Sequence, residues 1–207
     1  MSKPFQPSLL VGLTGGVASG KSFVAGIMSS LGAMVIDSDS VGHSVIEAGQ
    51  PAHDDVIRHF GKSVLGPKGL IDRVRLGEII FNNPAEKRIL ESITHPHIIG
   101  RIASSCVKAT EAGVRIVTVE SAIIFEMGIQ EAFEKVITVY VDSKTQISRL
   151  MARNLFSREE ALAIVHSQMS IDRKASMSDF VIDNSGMMEE TEALTRELYS
   201  RLLNLKH

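Results

Sequence analysis

The sequence predicts an α/β fold: a parallel sheet covered by helices in three α/β/α layers, carrying a helical insertion and a helical lid. Three observations carry that class. Short runs rich in Val and Ile alternate with longer helical stretches. The runs are apolar almost throughout, as in strands buried on both faces. The first run opens directly onto a glycine-rich turn that leads into a helix.

Taken in order, residues 1–8 read as a short loose arm without the features of a signal peptide. Strands are predicted at Leu9–Thr14, Ala33–Asp37, Arg115–Glu120, Val136–Val141 and Asp179–Ile182. Helices are predicted at Lys21–Leu31, at Ser157–Met169 and at Met188–Leu205, the last with Leu194, Leu198 and Leu202 on one stripe. Between Asp39 and Ala112 strand signals fade and helix cues dominate, including Pro84 opening Ala85–Glu91. A polar segment, Ser148–Lys174, holds Arg149, Arg153, Arg158, Arg173 and Lys174 and reads as a mobile cover. The chain is therefore expected to form one domain over residues 1–207. Its core is placed at about 8–45, 113–147 and 175–207, the insertion at about 46–112 and the lid at about 148–174.

Charge narrows the function classes. With 24 acids against 22 bases the net charge is −2, which argues against a protein that coats nucleic-acid polymers through counterion release. No apolar stretch reaches the length needed to span a bilayer, so neither a nucleic-acid nor a membrane partner is expected, and the expected location is cytoplasmic. The single cysteine, Cys106, reads as a small core hydrophobe.

The chemistry concentrates in Gly15-Gly-Val-Ala-Ser-Gly-Lys-Ser22, which fits the G-x-x-x-x-G-K-[ST] phosphate loop and follows the first strand. Glycines let such a loop turn its backbone N–H groups around phosphate oxygens, and the following helix adds its positive N-terminal end. Lys21 can span terminal phosphates and the Ser22 hydroxyl can ligate Mg²⁺. Two acids, Asp37 and Asp39, end the second strand, where ligands gather in open α/β sheets. One can accept a proton from an attacking hydroxyl while the other holds the magnesium shell; the alternative is an Asx turn or helix cap. Glu120 ends the third strand, where a Walker B acid belongs, and Glu126 follows as a candidate substrate contact or loop carboxylate.

A phosphate loop alone does not separate a small-molecule kinase from a GTPase or a regulatory nucleotide binder. No Asn-Lys-x-Asp guanine motif is present, and Asp183–Gly186 comes too late in the chain for a switch loop. The acid pair, the insertion and the arginine-bearing segment suit phosphoryl transfer to a small hydroxyl acceptor.

The runs Gly12–Ser22 and Val35-Ile-Asp-Ser-Asp39 resemble the opening of the dephospho-coenzyme A kinase family, which has the P-loop NTPase fold. Ile71–Phe81, Leu90–Pro96, Ile123–Glu126, Gln146–Arg149 with Arg153 and Gln168, and Ser178–Gly186 continue the likeness over about residues 9–190. The resemblance implies transfer of the γ-phosphoryl of ATP to the ribose 3′-hydroxyl of dephospho-CoA, with Mg²⁺, as the last step of coenzyme A synthesis. It implies that Gly15, Gly16, Val17, Ala18, Ser19, Gly20, Lys21, Ser22 and Phe23 bind ATP, with Arg153 and Asn184 alongside. Asp39 matches the general base, with Lys21 and Arg149 stabilising the transferred group. Arg73, His95 and Glu126 are the expected acceptor contacts, and Ser22 and Asp37 the expected metal side chains. The partners implied are ATP and dephospho-CoA.

Three positions depart from the family's pattern. Ala18 replaces a loop glycine, and its Cβ predicts a φ below zero. Phe23 replaces Thr, and Ala122 replaces Pro.

Overall fold

The computed structural model describes residues 8–205; of the predicted N-terminal arm, residues 1–8, all but Ser8 lie outside the described residues. The strands are β1 (Leu9–Gly15), β2 (Met34–Asp37), β3 (Ile116–Glu120), β4 (Lys135–Tyr140) and β5 (Phe180–Asp183), each on its predicted run with ends shifted slightly. The helices are α1 (Lys21–Ser30), α2 (Ser38–Val45), α3 (Pro51–Phe60), α4 (Arg73–Asn82), α5 (Pro84–Glu111), α6 (Ser143–Asn154), α7 (Arg158–His166), α8 (Ile171–Met177) and α9 (Met188–Leu203).

The five strands form one parallel sheet in the order β2-β3-β1-β4-β5. β1 sits at its centre, with Leu13 opposite Glu120 of β3 and Gly15 opposite Val139 of β4. Strand order reverses beside β1, the place where α/β sheets bind ligands at the carboxyl ends of their strands.

The chain divides into two compact units. One comprises the residues up to Ile36 together with those from Cys106 onward, and holds β1, β3, β4, β5, α1 and α6–α9. On one face of its sheet Val11, Leu13, Ile116, Ile137, Val139 and Ile182 pack with Val24 and Met28 of α1 and Leu198, Tyr199 and Leu202 of α9. On the other face a Cβ at Gly12 would meet Ile124 at 2.9 Å and Phe133 at 3.1 Å, so the β3–β4 connection lies directly on the strand. The α9 stripe differs from the leucine pattern: Thr191, Thr195, Leu198, Tyr199 and Leu202 are buried and Leu194 is exposed. The buried threonines bond locally, Thr195 Oγ1 donating to the Thr191 carbonyl at 2.7 Å, which makes a polar residue tolerable inside.

The other unit, Asp37–Ser105, has its own core of Val45, Ile46, Ala52, Val56, Val64 and Leu76. Its ends differ from the expected 46 and 112. α2 goes with the insertion because Val41, Val45 and Ile46 pack into that core. The end of α5 goes with the sheet, where Ser8 Oγ bonds Thr110 Oγ1 at 2.8 Å and the Val114 carbonyl at 2.7 Å. Asp72 caps α4 by accepting from the Val74 and Arg75 N–H groups, and Asn83 accepts from Ala85 N and Glu86 N at the start of α5. α5 continues past the predicted Ala85–Glu91 segment and includes Pro96. A proline inside a helix costs about 3 kcal/mol; Leu90, Ile93 and Ile98, packed on the insertion core, hold the two halves together against that cost.

Candidate active site

β1 ends at Gly15, and the next five residues loop back into α1. Gly20 is the N-cap of α1 in the left-handed region, φ 89°, with no capping side chain and no acidic residue in the first turn. The first N–H groups of α1 and its dipole are thereby presented to an anion. Lys21 Nζ lies over the loop, 3.4 Å from the Gly15 carbonyl and 3.2 Å from that of Gly16. Ser22 Oγ donates to Glu120 Oε1 at 2.9 Å. Because β3 lies next to β1, an acid ending β3 falls beside the serine that opens α1. Phe23 follows in the first turn, half-buried.

Ala18 corrects the sequence reading. Its φ is +56°, so the residue enters the left-handed region in spite of its Cβ. The methyl has partners there: Val17 and Ala18 pack against the lid cluster of Leu150, Ala161 and Val165. The Val17 N–H donates to Gln168 Oε1 at 2.9 Å, so the lid segment also holds the loop by its backbone. Gly16 is required for a neighbouring reason, since a Cβ there would run into the buried side chain of Gln146.

α6 starts at Asp142, whose carboxylate accepts from Thr145 N at 3.0 Å and Thr145 Oγ1 at 2.8 Å. Those hydrogen bonds hold the carboxyl below its ordinary value. The helix carries Arg149, which donates to the Asn184 carbonyl at 2.9 Å, and Arg153, which is exposed and donates to Asn154 Oδ1. Asn184 is buried, and its side chain faces protein. Nδ2 donates to the Ser19 carbonyl at 2.8 Å, and Oδ1 accepts from Thr191 Oγ1 at 2.8 Å.

Glu126, an expected acceptor contact, is bonded to the lid segment. Its Oε1 pairs with Lys174 Nζ at 2.7 Å and accepts from the Met169 N–H at 2.9 Å. Lys174 also donates to the Ala122 carbonyl and is fully buried on α8. In the sequence it stood as one cation of a polar segment, and nothing local marks it as interior.

In the insertion unit, the carboxylate of Asp37 is the N-cap of α2, accepting from Asp39 N at 3.0 Å and from Ser40 Oγ. Asp37 thus caps α2, and Glu120 is the acid bonded to Ser22. Asp39 is exposed in the first turn of α2. Arg73 opens α4 and stands 3.6 Å from Glu47 Oε1. His95 lies inside α5, immediately before Pro96.

The model of the family described as dephospho-CoA kinase matches residues 9–190. A dephospho-CoA kinase of Carboxydothermus hydrogenoformans is 41% identical over 182 residues, 88% of each chain. That of Bacillus licheniformis is 39% identical over 199 residues, 96% of this chain and 99% of the relative. Among solved structures, the dephospho-CoA kinase of Campylobacter jejuni superposes with a TM-score of 0.63 at 28% identity, covering 94% of this chain and 97% of its own. A shikimate kinase of Acinetobacter baumannii, at a TM-score of 0.53 and 15% identity over 98% of both chains, shares the fold.

Proposed function

The chain belongs to the dephospho-CoA kinase family, and on that premise we infer how its own residues transfer the γ-phosphoryl of ATP to the ribose 3′-hydroxyl of dephospho-CoA, giving CoA and ADP. The observation that carries the reading is the complete phosphate loop, with Gly20 capping α1, Lys21 over the loop and Ser22 bonded to Glu120. The loop from Gly15 to Phe23 receives the phosphates of ATP. Lys21 and Arg149 offset the negative charge that spreads over the transferred oxygens. Asp39 accepts the proton of the 3′-hydroxyl as its oxygen bonds to the γ-phosphorus, and the bond from that phosphorus to the β–γ bridging oxygen breaks, leaving ADP. Arg73 and His95 bind the acceptor, and Arg153 approaches ATP from the lid.

The oxygen donors at the start of α1 fit Mg²⁺, a hard cation that keeps several waters and takes few protein ligands. Ser22 would hold it directly and Glu120 through water, with Asp37 serving α2 as its cap. Bound there, such an ion would supply positive charge to offset that of the phosphates. The reading carries with it a cytoplasmic enzyme of small-molecule partners without nucleic acid. Among the described residues no helix is long and apolar enough to cross a membrane.

The test is ADP release from MgATP with and without dephospho-CoA. Acceptor-dependent release is expected, with Lys21→Ala and Asp39→Asn each lowering kcat by more than about 100-fold. Release that ignores dephospho-CoA overturns the acceptor, and a near-normal rate in Asp39→Asn moves the base elsewhere.

A further inference from the structure

Asn184 holds more connections than a loop residue after a strand needs. Its N–H donates to the Tyr140 carbonyl at 2.8 Å, and its own carbonyl accepts from Arg149. Its side-chain amide bridges the Ser19 carbonyl and the Thr191 hydroxyl. A backbone carbonyl only accepts, so the amide nitrogen must be the atom facing Ser19, and the Thr191 hydroxyl, donating to the amide oxygen, keeps it so. The amide also fills the space beside Gly20 where a Cβ would stand.

In a trans peptide the C=O and the following N–H point in opposite directions. Drawing the Ser19 carbonyl to Asn184 therefore turns the Gly20 N–H to the opposite side of the chain, where no group among the described residues accepts it. We propose that Asn184, oriented by Thr191, is a positioning residue for phosphoryl transfer: it aims the Gly20 N–H at the phosphates of ATP. Through its carbonyl it also seats Arg149, so one residue sets both a loop donor and a lid cation. This rests on the reading of the Gly15–Phe23 loop as the ATP site.

Inorganic tripolyphosphate, a probe with phosphates and no base, tests the proposal by calorimetry on the full chain. Asn184→Ala is expected to weaken tripolyphosphate binding by about tenfold, the scale of one charge-assisted hydrogen bond, with adenosine binding and the ATP-to-GTP preference unchanged. Thr191→Val should shift tripolyphosphate binding in the same direction by less, and Thr191→Ser, which keeps the hydroxyl, should restore it. These two variants carry the test if Asn184→Ala does not fold. Unchanged tripolyphosphate binding in folded Asn184→Ala and Thr191→Val, or a changed nucleobase preference, overturns the proposal. A wild-type chain that binds tripolyphosphate but does not phosphorylate dephospho-CoA would instead overturn the acceptor and leave the loop measurement readable.

Discussion

A single methyl group at Ala18 shows how a local rule yields to its surroundings. An L-residue in the left-handed region costs about 1–2 kcal/mol, and the loop accepts this while the methyl packs on the lid cluster. Replacing Ala18 with Gly removes the backbone penalty, loses the methyl contact and frees the unfolded chain, terms of opposite sign. The left-handed penalty is the largest of them, so Ala18→Gly is expected to raise the melting temperature slightly while loosening the lid's grip on the loop. Calorimetry, with hydrogen exchange at Val17–Ser19, checks both; a lower melting temperature would show that the methyl's packing outweighs the strain. The loop's residue types were readable from spacing alone. The sign of φ at Ala18 was not, because what permits it is a contact with Leu150, Ala161 and Val165, far away in the chain.

At the level of elements, the sheet was legible because strands buried on both faces leave unbroken apolar runs, and all five are where those runs lie. The acids at strand ends were legible as positions and ambiguous as roles. Asp37 and Glu120 both end strands, yet only the strand order, with β3 beside β1, decides that Glu120 meets Ser22 while Asp37 caps α2. Lys174 and Thr191 were illegible: one sits in a charged segment and the other on a helix whose leucines carry the apolar signal. The Lys174–Glu126 pair joins α8 to the β3–β4 connection around a fully buried ammonium. Removing one partner leaves the other charge uncompensated, so Glu126→Leu is expected to cost about 3–5 kcal/mol in denaturant unfolding. The pair Glu126→Leu with Lys174→Met should recover most of that loss, whereas equal losses in the single and double variants would mean that the pair is not coupled.

For the whole molecule, acid sensitivity follows from which unit holds the perturbed carboxyls. Asp142 and Asp179 both lie in the sheet unit with their carboxyls held below the ordinary value of 3.8. At Asp142 the bonds from Thr145 lower it; at Asp179 burial works in the opposite direction and is overcome by Lys135 and the Val136 N–H. A carboxyl depressed by folding stabilises the protein above its unfolded value, and that stability drains away as pH falls through the lower, folded value. Melting temperature should therefore decline between about pH 5 and pH 2, and less steeply in Asp142→Asn, which keeps the cap acceptor but does not titrate. An identical slope in the variant would rule Asp142 out as a contributor.

The bond from Asn184 to Ser19 joins residues 165 positions apart. A ribosome that has released α1 has therefore made every atom of the phosphate loop and still lacks the clamp that shapes it. Nucleotide affinity during synthesis should arrive late, after β5 has emerged and joined the sheet beside β4, so a nascent chain stalled before residue 184 would carry the motif without its grip.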